Sequence, residues 1–326
     1  MKKAVIYFEP PASEIDEMRR ILSEADVELT VQSGFGKFGS KAATPEALID
    51  TVDGVHAALL GGEMFDEAVI TAASELQVIS RIGVGFDRVD LEAARSRGIP
   101  VVVAAGSNHV TVAEFAFGLI LALSRGIVRG HNAALAGEWV SNVGTDLQGK
   151  TLGVAGLGRI GRTLVQQASG FGMRILAFEA YPDAEFVASH DIDCVDLDTL
   201  CRESDFVSLH LPLGPDTRGA INAERLAMMK NTAYLVNTAR GGLIDEDALY
   251  SALVEGEIAG AGLDVFVQEP PRESPLVGLD SVLISNHMAG VSHESMHRML
   301  LMAAQNAVSV LQGQWPRDIV VNGLFS

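Results

Sequence analysis

The sequence predicts an α/β fold of two doubly wound parallel-sheet domains, on three observations. Short uninterrupted apolar runs alternate with amphipathic stretches along nearly the whole chain of 326 residues. The runs fall into two series, separated by one long helix-like segment. They are apolar at successive positions, as strands covered on both faces require, and the stretches between them can supply the crossovers that parallel strands need. A chain of this length allows two domains with a sizeable core.

In chain order, the first series puts strands at residues 3–8, 27–30, 55–60, 77–81 and 100–103. Between the first two, residues 13–25 read as a helix that Ser13 can cap, with Ile15, Met18, Ile21 and Leu22 on one face. Residues 110–124 form the long helix between the series. The second series puts strands at 151–155, 174–179, 206–211, 233–237, 260–265 and 282–285, and a final helix at 293–311 is expected to return to the first domain.

Composition narrows the class of protein. Apolar residues make up 48% and charged residues 20%, as in ordinary globular chains. A net charge of −18 argues against nucleic acid or an anionic membrane as partner, though not against a small anion held by local donors. The longest run of apolar residues and glycine, 115–123, is far short of the roughly 20 residues of a membrane span. Glu9 and two prolines end the N-terminal apolar run too early for a signal segment, so a cytosolic protein is expected. The two cysteines, Cys194 and Cys201, belong to no C-x-x-C or zinc spacing and read as reduced packing residues.

Residues 151–161 read TLGVAGLGRIG, in which Gly156-Leu157-Gly158-Arg159-Ile160-Gly161 matches G-x-G-x-x-G. The motif directly follows a strand and opens a helix with Leu164 and Val165 on its apolar face. An acidic residue, Glu179, ends the next strand 23 residues after Gly156. In that setting Gly156 permits the tight turn, Gly158 lets backbone approach a pyrophosphate, and Gly161 lets the helix sit close to the sheet. The helix N-terminus then offers unpaired N–H groups to the phosphates. Glu179 can accept bonds from both ribose hydroxyls and would repel a 2′-phosphate, with no cation at Ala180 or Tyr181 to offset it. NAD is therefore the expected cofactor, rather than NADP.

Three polar groups follow strands of the same series at their carboxyl ends, the edge where such sheets bind ligands: Arg240 in NTARGG, Glu269 in QEPP, and His287 after Asn286. An arginine fork binds a carboxylate bidentately. A histidine takes or gives a proton near neutrality, and a carboxylate on its other ring nitrogen orients the imidazole and stabilises the imidazolium. Beside a nicotinamide the set suits oxidation of a 2-hydroxy acid and its reverse. Taken singly, each residue has a plainer reading as an ion-pair, packing or solvated-loop residue; the joint arrangement carries the expectation. Another pattern competes in the same segment. His293-Glu294-Ser295-Met296-His297 matches H-E-x-x-H, which would set two imidazoles one helical turn apart for zinc hydrolysis. No third ligand is evident, and Arg298 directly follows the second histidine, so no metal is expected.

These segments together resemble the D-isomer-specific 2-hydroxy acid dehydrogenases. The resemblance rests on the glycine loop, VNTARGGLIDEDAL at 236–249, GLDVFVQEPP at 262–271, the His287 segment, ISRIGVGFDRVDLEAARSRGIPVV at 79–102, NHVTVAEFAFGLILALSR at 108–125 and HLPLGPDTRG at 210–219, which resembles the loop after the third strand. It implies a Rossmann NAD-binding domain, residues 104–288, inserted into a flavodoxin-like substrate domain made of 1–103 and 289–326. It implies interconversion of a D-2-hydroxy acid and its 2-oxo acid by Arg240, Glu269 and His287. The backbone amides of Val84 and Gly85 would help bind the substrate carboxylate, and Asp264 would meet the nicotinamide amide. Arg159 and Ile160 would lie at the pyrophosphate. His210, Pro212, Thr217, Thr238, Ala239 and Gly290 would line the cofactor cleft together with His287. Domain closure would exclude water, and a homodimer would form through the cofactor domain, about 108–145.

Within the family, residues 79–102 and the segment around Trp139 look most like the phosphoglycerate dehydrogenases, where an arginine aligned with Arg81 contacts substrate phosphate. Two departures stand against that likeness. LLGGEMF at 59–65 lacks an arginine near Gly61 and carries Glu63, which disfavours a phosphate. The residues after 311 are too few for the regulatory domain of that group's long forms. Asn286 also stands where the family commonly has proline. The substrate remains open among 3-phosphoglycerate, hydroxypyruvate, glyoxylate and larger acids. A dinucleotide-binding corepressor-like scaffold, which shares the fold, is the alternative.

Overall fold

The computed structural model describes residues 1–32, 44–139, 141 and 143–324. The chain divides into two compact units, Met1–Asn108 with Ser292–Ser326, and His109–Val291.

In the first unit, β1 (Lys2–Ile6), β2 (Val27–Val31), β3 (Ala57–Leu60), β4 (Val78–Arg81) and β5 (Val101–Val103) form one parallel sheet in the order β2-β1-β3-β4-β5. This is the flavodoxin-like order. Alternation along the strands feeds a core on each face. Ala4, Ile6 and Phe8 join Met18, Leu22, Met299, Leu300 and Ala303 on one side, while Val5 and Tyr7 join Val69, Ile70 and Phe65 on the other. The final helix, His293–Leu311, therefore packs in the first unit, and Ser80 on β4 donates to the Ala303 carbonyl at 2.9 Å. Its start is fixed by a capping box between Ser292 and Ser295. The helix after β1 differs from expectation. It spans Ala12–Ser23 with Pro11 at the cap position and no side-chain cap; Ser13 lies inside the first turn and donates to Glu14.

The second unit contains β6 (Thr151–Ala155), β7 (Arg174–Phe178), β8 (Ile192–Cys194), β9 (Phe206–Leu209), β10 (Tyr234–Asn237), β11 (Gly260–Leu263) and β12 (Val282–Ile284). They form a parallel sheet in the order β12-β11-β10-β9-β6-β7-β8. The strand order reverses between β6 and β9, the switch point at which doubly wound sheets open a crevice at their carboxyl edge. β8 was not expected from the sequence, so the loop at 210–219 follows the fourth strand of this sheet and not the third. Leu152 and Val154 pack with Phe206, Val236 and the helix His109–Arg125 on one face; Ala155 packs with Val207, Leu209 and Leu235 on the other. Among the described residues no single helix is long and apolar enough to cross a membrane.

Candidate active site

The glycine loop sits at the switch point. Gly156 has a φ of 103°, and a Cβ there would lie 2.7 Å from the His210 carbonyl oxygen at the end of β9. Only glycine meets both conditions. A Cβ on Gly161 would collide with the Gly156 carbonyl, so the helix Arg159–Ala168 can approach the loop only without one. Gly158, its N-cap, faces open space, as close approach of a pyrophosphate to the backbone requires. Arg159 is exposed and Ile160 half-buried in the first turn.

Glu179, just beyond β7, folds back on this loop. Its carboxylate accepts from Leu157 N–H at 2.8 Å and Tyr181 N–H at 3.2 Å. Each carboxylate oxygen has two acceptor sites, so the same group can anchor the loop and still meet a ribose hydroxyl. Arg162, on the helix that the loop opens, is held by Asp183 at 2.9 Å and by the Leu157 carbonyl.

On the neighbouring strands, two polar atoms turned to the same carboxyl edge are buried and find no hydrogen-bond partner among the described residues: His210 Nδ1 after β9 and Thr238 Oγ1 after β10. The other His210 nitrogen bonds Ser208 Oγ at 2.9 Å, and burial pushes the imidazole down to about 4, so it is neutral at physiological pH. Buried polar atoms without partners are rare in folded proteins, and a dinucleotide along this edge would give them one. Glycine cradle, acidic strand end and orphaned atoms together fit NAD. Thr217, expected to line the cofactor cleft, is tied into its own loop. Its hydroxyl donates to the Pro212 carbonyl at 2.6 Å and accepts from Gly214 N–H at 2.8 Å, so it sets the path of the loop.

The acid–base pair is assembled from two loops. His287 Nδ1 lies 3.0 and 3.1 Å from the two oxygens of Glu269, whose side chain is 18% exposed against 54% for the histidine. A carboxylate can only accept, so Nδ1 carries the proton and Nε2 presents its lone pair. Glu269 Oε1 also accepts from Phe266 N–H at 3.2 Å, which ties it to its own turn.

His287 has a φ of 54°, in the left-handed region. Asp264, 1% exposed beyond β11, holds it there. Its carbonyl accepts from His287 N–H, and its carboxylate accepts from Ser285 Oγ at 2.6 Å and from Met288 and Ala289 N–H at 2.9 Å each. The family resemblance assigns Asp264 to the nicotinamide amide; its carboxylate also organises the histidine loop, which ends at Gly290.

Arg240 reaches the same neighbourhood through backbone packing. A Cβ on Gly241 would overlap Phe266 and Val267 backbone atoms, so the loop after β10 lies directly against the turn that carries Glu269. Buried Asn237 shapes this loop by donating to the Arg240 carbonyl and accepting from Ala239 N–H, while Arg240 Nη1 donates to the Ala239 carbonyl at 2.7 Å.

The remaining sequence candidates lie in the first unit. Arg81, 7% exposed at the end of β4, donates from Nε to the Gly85 carbonyl at 2.8 Å, across the turn that contains Val84. His293 and His297 open the final helix; His297 Nδ1 is 3.5 Å from Glu14. Among the described residues no group of three or more His, Cys, Asp and Glu could hold a metal ion.

The family model for the NAD binding domain of D-isomer specific 2-hydroxyacid dehydrogenases matches residues 117–289. The chain is 41% identical over 281 residues to the D-3-phosphoglycerate dehydrogenase of Methanocaldococcus jannaschii, an alignment of 85% of this chain and 54% of the other; the chain thus spans about half the length of that relative. It is 42% identical over 262 residues to the glyoxylate reductase of Korarchaeum cryptofilum, covering 78% of this chain and 79% of that one. Among solved structures, the TT0316 protein of Thermus thermophilus is similar with a TM-score of 0.86 at 36% identity, covering 98% of this chain and 100% of that one.

Proposed function

Because the chain belongs to the D-isomer specific 2-hydroxyacid dehydrogenases, we propose that it interconverts a D-2-hydroxy acid and the matching 2-oxo acid, with NAD as cofactor. The observation that carries the reading is the Glu269–His287 pair, in which Nδ1 is bonded at 3.0 Å and Nε2 is left as the nitrogen that exchanges a proton. Bound NAD supplies the hydride acceptor or donor. Arg240 grips the substrate carboxylate, and the amides of Val84 and Gly85 add donors to it. In the oxidising direction His287 Nε2 removes the hydroxyl proton as the carbonyl forms. Glu269, anchored by Phe266, stabilises the resulting imidazolium and keeps the ring from turning. In the reducing direction the imidazolium returns that proton to the carbonyl oxygen. Asp264 fixes the loop so that the ring meets the substrate in one orientation.

The chain is further taken to act as a cytosolic homodimer. The helix Ile127–Leu135 has no buried residue, and beyond it Trp139 and Val143 are 96% and 95% exposed. Large apolar groups left in water are candidates for an interaction surface, and size-exclusion chromatography with light scattering reads the assembly.

The enzymatic reading is tested by mixing the protein with NADH and a panel of 2-oxo acids and following the loss of NADH absorbance. Oxidation with at least one acid is expected. A folded protein that binds NADH yet oxidises it with none refutes the reading in favour of a dinucleotide-binding scaffold.

A further inference from the structure

At the carboxyl edge of the first sheet, the central strands bring together three chemically distinct groups. β1 is followed by Tyr7, β3 by Gly61-Gly62-Glu63, and β4 ends on Arg81. Leu60 and Arg81 are direct neighbours in the ladder, and Ile82 N–H bonds the Leu60 carbonyl at 2.8 Å. The two loops continue side by side, with Phe65 N–H on the Arg88 carbonyl at 2.9 Å and Asp90 N–H on the Phe65 carbonyl at 2.9 Å.

Glu63 is enclosed in this seam. It is 5% exposed, and its Oε2 accepts from Gly61 N–H at 2.7 Å. Burial pushes its carboxyl above the usual range; its own amide, the Arg81 and Arg88 guanidinium charges and Gly61 N–H pull in the opposite direction. Burial likewise raises the Tyr7 phenol, whose hydroxyl pairs with Thr51 at 3.3 Å and senses the Glu63 charge. A buried ionisable group of this kind persists only where opposite charge and hydrogen bonds offset desolvation. Arg81 and Glu63 therefore serve each other. The arginine in turn fixes the carbonyl of Gly85, inside the turn whose amides are assigned to the substrate carboxylate.

We propose that Arg81 is a positioning residue for the 82–85 turn, and that Glu63 beside it sets the substrate class as short, unphosphorylated 2-oxo and 2-hydroxy acids. This rests on the dehydrogenase reading and refines it. A phosphate carries a charge of roughly −1.5 to −2 at neutral pH and calls for presented cationic donors. The arginine at this edge is only 7% exposed, with its Nε on a backbone carbonyl, and the residue that accompanies it is a carboxyl group. An aldehyde hydrogen or a hydroxymethyl group on the substrate meets no such conflict.

The test compares kcat/KM for glyoxylate, hydroxypyruvate and phosphohydroxypyruvate with saturating NADH. Turnover of the first two, with the phosphorylated acid poorer by roughly a hundredfold or more, is the expected result. Comparable or better turnover of the phosphorylated acid overturns the inference and leaves the dehydrogenase reading intact. Absence of turnover with every acid overturns both. The Glu63→Gln variant, checked by circular dichroism, supplies a second readout. Its ratio of kcat/KM for phosphohydroxypyruvate over hydroxypyruvate should rise about tenfold, a ratio in which any general loss cancels. A ratio that stays or falls counts against the role given to Glu63.

Discussion

Asp264→Asn changes one oxygen for one NH2 group and leaves the side chain's volume alone. The carboxylate receives three hydrogen bonds, two at Oδ1 from Ser285 Oγ and Met288 N–H, and one at Oδ2 from Ala289 N–H. An asparagine has one accepting oxygen. With that oxygen toward Ser285 and Met288, the new NH2 faces the Ala289 N–H; with the amide turned over, it faces the Met288 N–H. In either orientation a buried backbone donor confronts another donor. Hydrogen bonds to a charged group are worth about 1.5–3 kcal/mol, so the loss is roughly 3 kcal/mol with the weakened survivors included. At about 2–4 °C for each kcal/mol in a unit of this size, Tm should fall roughly 10 °C. The displaced donors lie next to His287, and a misplacement of about 1 Å costs on the order of a hundredfold in turnover. Differential scanning fluorimetry and steady-state kinetics on a 2-oxo acid read the two effects, with NADH affinity by fluorescence as a third. A variant that melts within about 1 °C of the parent and keeps its kcat refutes the anchoring role, since both losses follow from the same three bonds.

Other expectations concern the histidines and the strand ends. His287→Ala should lower kcat by several orders of magnitude while NADH still binds, whereas His293→Ala with His297→Ala should leave turnover largely intact; a folded double variant without activity would reverse that assignment. Asp205, at the start of β9, accepts from Thr151 N–H and Lys230 Nζ at 2.9 Å each. Burial alone would raise its pKa, but these two partners outweigh it and hold the carboxyl below its ordinary value. A depressed folded pKa stabilises above the unfolded value of about 3.9 and loses that contribution as pH falls through the folded value. Asp205→Asn should thus melt lower than the parent at pH 7, with the gap closing below about pH 4.

Much of the fold was legible because its determinants are local. Runs such as Ala4 to Phe8 feed two cores at once and so stay apolar at every position, and the glycine loop announces itself by what flanks it. β8 was hidden because it is a three-residue edge strand, Ile-Asp-Cys, with only its first residue buried. Ser13 misled because it suits a cap by type, yet the chain enters the helix two residues earlier through Pro11. At the site, Arg240, Glu269 and His287 could be picked by residue type and strand position. The supporting contacts could not, because they are tertiary. Nothing local says that Gly241 must admit the backbone of Phe266, or that Asp264 will gather donors from residues 285 to 289.

The left-handed backbone at His287 sets stability against chemistry at a single position. A non-glycine residue in that region costs about 1–2 kcal/mol relative to its favoured conformations. Glycine would be the easier occupant, and random variation selected only for thermal tolerance would drift toward it. On the proposed chemistry the histidine is needed for its imidazole, in a turn held by a buried aspartate. Engineering this chain for heat resistance will therefore find a tempting substitution at the residue to which the proposed chemistry is assigned.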